Sequence, residues 1–252
     1  MKYKKYLVII VGLAFISILT YAMIIYPHSL RTFEVVVARY NENLDWVNKE
    51  FINEKITIYN KGKNDFIPLP NWTVIELPNV GRESHTYLYH IVTNYNNLAD
   101  RTLFIQGRPY DHEIYTPFLE YKTRIFKNYN NLCKNIIAPC RNKNQRRLDY
   151  MSESLDTNRH SWVYRKGVVY DTLHNFLYTV VNRKLPSDTK IGGVQGAIFA
   201  VDKEVILQHS KQYYQDLLSV LDNIYPEEGY YFEKLWDVIF DNGKYKDIDK
   251  AK

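Results

Sequence analysis

Apolar positions fall along this chain in three kinds of pattern. Residues 7–26, LVIIVGLAFISILTYAMIIY, form one uncharged run of twenty, which at 1.5 Å rise per residue spans a bilayer's hydrocarbon core of roughly 30 Å. Further on, short continuous apolar runs rich in β-branched residues alternate with stretches whose apolar residues recur three and four apart. The continuous runs over 33–38 (FEVVVA), 55–59 (KITIY), 102–105 (TLFI) and 196–201 (GAIFAV) predict strands buried on both faces. Between them, Leu44, Val47 and Phe51 predict a helix with Asn43 as its N-cap. A second helix is predicted from Gly81 through His85, Leu88, Tyr89, Val92 and Tyr95, and a third over 170–181. Asp202 caps a predicted helix carrying Val205, Ile206, Tyr213, Leu217 and Leu221, and Tyr231, Phe232, Leu235, Trp236, Ile239 and Phe240 mark a last amphipathic one. Strand–helix alternation of this kind predicts an α/β domain with a mostly parallel central sheet and helices on both faces.

The first 31 residues have their own logic. Lys2, Lys4 and Lys5 precede the apolar run and only Arg31 follows closely, which favours a cytoplasmic amino terminus (residues 1–6), a single-pass signal anchor over 7–26 and a domain on the opposite side of the membrane. Thr20-Tyr21-Ala22 offers spacing for a signal peptidase, but the run continues through Met23, Ile24 and Ile25, which favours the anchor over cleavage. The remaining chain divides into one domain over 31–243 and a charged tail over 244–252. With 46% hydrophobic and 24% charged residues the chain falls in the globular class rather than the disordered or collagenous one. The net charge of +5 drops to +2 without the three leading lysines, which excludes a global nucleic-acid-binding charge. Basic residues are nonetheless concentrated: Lys122 to Arg147 holds eight and no acidic residue, a stretch suited to a pyrophosphate or to anionic headgroups, or simply solvated. Cys133 and Cys140 make at most one disulfide, and Asn71-Trp72-Thr73 is a glycosylation triplet of a kind frequent by chance.

In an open α/β sheet ligands sit at the carboxyl ends of strands, where strand order reverses, and three loops qualify. Arg39-Tyr40-Asn41-Glu42 follows the first strand and either offers short polar groups to a base or ribose or is an ordinary helix-capping loop. Gln106-Gly107-Arg108-Pro109-Tyr110-Asp111-His112-Glu113 follows a buried strand, and Asp111, His112 and Glu113 either bring together oxygen and nitrogen ligands for a manganese or magnesium ion holding a diphosphate, or Asp111 caps an ordinary helix over 113–126. Pro226-Glu227-Glu228-Gly229 leads into the last helix, which also carries Glu233; a carboxylate there is a candidate general base or an ordinary helix stabiliser. His85 and His90, five apart on a helix, do not face together as metal ligands. No Gly-x-Ser-x-Gly elbow exists, and Gly192-Gly193-Val194-Gln195-Gly196 precedes a strand instead of following one, so hydrolase and dehydrogenase readings fall.

The strings VVVARYNENLDWV, NVGRESHTYLYHIVTNYNNLADRTLFIQGRPYDH, GAIFAVDKEVI and PEEGYYFEKLWDVIF resemble the successive blocks of a domain-of-unknown-function family (3431) related to GT-A-type glycosyltransferases. The resemblance implies a single GT-A-like, Rossmann-like domain behind the anchor, binding a nucleotide sugar and transferring its sugar to a hydroxyl of a glycan or lipid-linked acceptor. By the same resemblance, Asn41, Glu42, Arg82, Gln106, Gly107 and His112 contact the donor, Asp111 and Glu113 hold a divalent cation, and Glu228 or Glu233 joins Asp111 in catalysis. The Asp-x-Asp pair usual in such enzymes is absent, with Asp111 and Glu113 in its place. A catalytically silent glycan- or nucleotide-binding module of the same fold is the alternative, and nucleic acid is not an expected partner.

Overall fold

Because both faces of a β-branched run are apolar, such a strand is stable only inside a sheet covered on both sides, and the computed structural model places the runs there. It describes residues 32–109, 136–137, 152–154, 173–186, 189–192, 197–222 and 228–241, together with Ser17. The strands are β1 (Phe33–Arg39), β2 (Lys55–Asn60), β3 (Trp72–Glu76), β4 (Arg101–Gln106), β5 (Ile136–Ile137), β6 (Ser152–Ser154), β7 (Lys190–Gly192) and β8 (Phe199–Asp202). The helices are α1 (Asp45–Glu50), α2 (Arg82–Asn94), α3 (Leu173–Thr179), α4 (Lys203–Ile206), α5 (Lys211–Ser219) and α6 (Glu228–Ile239). Six strands make the main sheet in the order β3-β2-β1-β4-β8-β5, and β6 pairs with β7 separately. The first four are parallel; β8 runs antiparallel to β4, and β5 antiparallel to β8. The expected α/β class with a mostly parallel sheet therefore holds.

Alternation along the strands divides the core in two. Val35, Val37, Ile56, Ile58, Leu103 and Ile105 pack under the short α1 through Leu44, Val47 and Phe51. On the other face Val36, Tyr59, Phe104 and Phe199 meet Tyr87, Leu88 and Ile91 of α2, Tyr214 and Leu217 of α5, and Phe232, Leu235 and Trp236 of α6. The second face is richly aromatic: the Tyr87 and Phe104 rings lie 4.9 Å apart, and Phe199 and Trp236 5.1 Å apart, within the range of favourable ring pairs.

Three local expectations are corrected. The helix expected from Asp202 to Leu221 is two helices, because Ser210 accepts from the Tyr213 N–H at 3.2 Å and starts α5 afresh. Asp202 does not cap α4 with its side chain; its carboxylate is taken by Arg101, directly opposite on β4, at 2.5 and 2.9 Å. At α1 Leu44 occupies the N-cap, and Asn43, one residue earlier, accepts from the Asp45 N–H at 2.7 Å. The Asn71-Trp72-Thr73 triplet leads into β3, the strand at one end of the sheet. Among the described residues no helix is long and apolar enough to cross a membrane. The expected anchor over 7–26, Ser17 apart, and the tail over 244–252 lie outside them, as does the expected site segment Tyr110 to Glu113.

Candidate functional site

Strand order reverses between β1 and β4: β1 leads to β2 on one side, and the chain later returns as β4 on the other. Their carboxyl ends thus form the crevice where such sheets bind ligands. The loop after β1 and the first residue after β4 touch there. Gly107 donates its N–H to the Ala38 carbonyl at 2.7 Å, and its own carbonyl accepts from Trp46 Nε1 at 2.8 Å. Glu42 lies over Gly107 so closely that a Cβ there would sit 2.6 Å from Glu42 Oε2, and that same oxygen accepts from the Tyr40 N–H at 2.6 Å. Asn41, Glu42, Gln106 and Gly107, expected to meet the donor, are thereby placed together at one strand-end crest.

The crest is held by an arginine whose role the sequence pattern does not reveal. Arg39, buried at the end of β1, donates through Nη1 to Asn60 Oδ1 and the Lys63 carbonyl, both at 2.7 Å, and through Nε to the Glu42 carbonyl at 2.9 Å. Its Nη2 meets Asp65 at 2.5 Å, and the guanidinium lies 4.5 Å from the Phe66 ring centroid. One cation thus ties the loops after β1 and β2 to each other. Gly62 completes the junction: a Cβ there would be 1.7 Å from the Tyr40 carbonyl oxygen, so no other residue fits without backbone movement.

Next along the same edge stands Lys61, a second residue hidden from pattern reading inside a turn-like Lys-Gly-Lys-Asn-Asp string. Its backbone N–H bonds the Arg39 carbonyl at 2.8 Å, and its Nζ donates to the carbonyls of Val80 at 2.6 Å and Arg82 at 2.5 Å. Burial lowers the Lys61 ammonium to about 7, with Glu83 working the other way. Gly81 and Arg82 both have positive φ, 60° and 50°. A Cβ on Gly81 would also lie 2.5 Å from that of His85 and 2.7 Å from that of Leu221, so glycine is required. The amino terminus of α2, with its unpaired N–H groups and positive dipole end, therefore stands beside two cations. Ser84 Oγ, in its first turn, is buried with no partner among the described residues.

Arg82 is exposed (42%) and stacks over Tyr230 at 4.6 Å. Burial opposes its charge, but Glu83, Tyr230 and Glu233 outweigh that and hold it above its ordinary value. Arg82 and Glu233 are thus brought into one electrostatic neighbourhood, α6 reaching the crest from the strongly aromatic face. Glu228 opens α6; five residues from Glu233, it lies about 140° round the helix from it, so the two carboxylates do not face one point. Gly107, Glu42, Tyr40, Gly62, Lys61, Arg82 and Glu233 follow one another along the crest. Asp111, His112 and Glu113 lie outside the described residues. Among the described residues no three His, Cys, Asp or Glu side chains gather as a metal site, and Glu42 by itself is too few ligands for a hard divalent cation. His85 and His90 also stand apart: His85 stacks on Tyr89, while His90 Nδ1 faces the Tyr59 hydroxyl at 3.1 Å.

A cleft of about 600 Å³ opens below the crest on the α1 side, between the loop after β1 and residues 65–72. The family model described as protein of unknown function (DUF3431) matches residues 35–251. No curated protein matches the chain.

Proposed function

The chain belongs to the DUF3431 family, and from that premise and the geometry of the crest we propose that it is a glycosyltransferase-like protein, carried on a membrane anchor over residues 7–26. It moves a sugar from a nucleotide donor to a hydroxyl of a glycan or lipid-linked acceptor. The observation that carries this reading is the run of Glu42, Gly107, Lys61 and Arg82 along the β1–β4 switch point. Asn41 and Glu42 meet the nucleoside. Lys61, Arg82 and the amino terminus of α2 face the diphosphate and stabilise the negative charge that grows on it as its bond to the sugar breaks.

The acceptor hydroxyl oxygen bonds to the anomeric carbon as the sugar–phosphate bond breaks, and its proton passes to a carboxylate. Glu233, beside Arg82, is the better placed of the two candidates in α6. A manganese or magnesium ion would be held by Asp111 and Glu113 and would share the diphosphate charge.

The test is release of nucleoside diphosphate by the full chain from a panel of nucleotide sugars, with and without manganese. Turnover that Asp111→Ala abolishes while the melting curve stays unchanged is expected. Tight nucleotide binding without turnover on any acceptor would leave the inactive binding module, and no nucleotide binding would overturn both.

A further inference from the structure

The cleft on the α1 side is not used by the donor reading, apart from its border with Asn41 and Glu42. Its outer wall is apolar and aromatic: Phe66 and Trp72, rings 6.4 Å apart, with Ile67 89% exposed beside them. The opposite wall is amide-rich. Asn48 is exposed on α1 with no hydrogen-bond partner among the described residues, whereas Asn41, whose Oδ1 accepts from the Lys63 N–H at 3.2 Å, stands at the border with the donor side. Charge separates the ligand classes. Three carboxylates (Glu42, Asp45, Asp65) face two cations (Arg39, Lys49), and Arg39 is already engaged by Asp65. A net negative cleft with one exposed lysine disfavours a phosphate-bearing ligand. Aromatic and apolar surface facing the uncommitted Asn48 amide suits a neutral polyol, which has C–H faces for the rings and hydroxyls that both donate and accept. The volume lies within the range of ligand pockets, roughly 300–1,000 Å³, and has room for more than one sugar ring.

We propose that this cleft binds a short neutral oligosaccharide, with Phe66 and Trp72 as its stacking wall and Asn48 as its hydroxyl-reading amide. The site deepens the transferase reading and rests on it for the ligand's role as acceptor, not for the binding itself. Glu42 borders both the cleft and Gly107, so a glycan seated there ends beside the crest.

Isothermal titration of the full chain with neutral gluco-, galacto-, manno- and N-acetylglucosamine di- to tetrasaccharides tests this. Saturable binding of at least one series is expected, weakened about tenfold by Phe66→Ala and by Asn48→Ala, and unchanged by Gln212→Ala on α5. Asn48 is exposed, so its variant keeps the test sound should Phe66→Ala unfold. No binding by any series, or binding that neither variant weakens, overturns the proposal, as does a free nucleoside displacing the sugar. Nucleotide sugar is titrated separately: oligosaccharide binding without it removes the transferase reading and keeps the cleft, and the reverse result does the opposite.

Discussion

Replacing Arg39 by methionine keeps most of the side-chain volume and removes the cation that joins the loops after β1 and β2, so the loss measures that junction without a large cavity term. The bonds at stake differ in worth. Asn60 is buried, and losing its 2.7 Å charged donor leaves Oδ1 with only a long 3.4 Å contact from the Gly62 N–H; this costs about 1–2 kcal/mol. The Lys63 and Glu42 carbonyls lie nearer water and are partly rehydrated, at about 0.5 kcal/mol each. Asp65 is 53% exposed, so its solvent-screened ion pair adds little, and the Phe66 contact adds about 0.5 kcal/mol. Relief of the buried charge works the other way. The net expectation is about 2–3 kcal/mol, read as a lower urea midpoint at unchanged slope for the full chain. Asp65→Ala, which removes only the exposed partner, should lower the midpoint far less than Arg39→Met does. Equal losses from the two variants, or a loss under about 1 kcal/mol from Arg39→Met, would refute the view that the arginine organises the crest.

Other expectations follow from the same geometry. Gly62→Ala places its Cβ against a backbone oxygen at 1.7 Å and should cost about 3 kcal/mol or more, whereas Gly107→Ala meets the end of the Glu42 side chain at 2.6 Å and should cost about 1 kcal/mol while weakening nucleotide binding; paired melts and titrations check both. His90, 1% exposed, has its ring held neutral by burial, Glu34 opposing and Lys55 reinforcing, down to about 4 from 6.5. Below pH 6.5 the unfolded chain binds a proton that the folded one refuses, so stability should fall by about 3 kcal/mol between pH 6.5 and 4; the wild-type fall minus that of His90→Gln measures this share, and equal slopes would contradict it. Burial brings Lys61 to about 7, so nucleoside diphosphate affinity should weaken as pH rises from 6 to 8.5 and the ammonium loses its proton. Lys61→Arg, charged throughout, should flatten that fall when titrated alongside.

What pattern reading reached and what it missed have physical reasons. Val35–Val37 and Leu103–Ile105 were legible as central strands because a strand buried on both faces must be apolar at every position. Trp72–Glu76 was not: at the end of the sheet it is half-covered, and Pro68 and Pro70 just before it give the surroundings the look of a loop. The break between α4 and α5 was invisible because apolar spacing carries on across Leu207 to Ser210, where a cap rather than a loss of periodicity ends one helix and starts another. At the site, the strand-end rule brought Asn41, Glu42, Gln106 and Gly107 together from sequence, since parallel order alone places those ends side by side. Lys61 escaped it, and Arg39, though inside the first of the three loops, was not distinguished by it: a lysine in a turn string and an arginine closing a strand carry no sign of burial in the pattern.

The central claim, that the crest between β1 and β4 grips a sugar-bearing diphosphate, is tested most directly by crystals of the protein soaked in a nucleotide sugar. Nucleotide density between the loop of Tyr40 to Glu42 and Gly107, with phosphate oxygens in hydrogen-bond reach of Lys61 or Arg82, is the predicted result. Ordered nucleotide elsewhere on the chain, or none at a saturating soak, would contradict it.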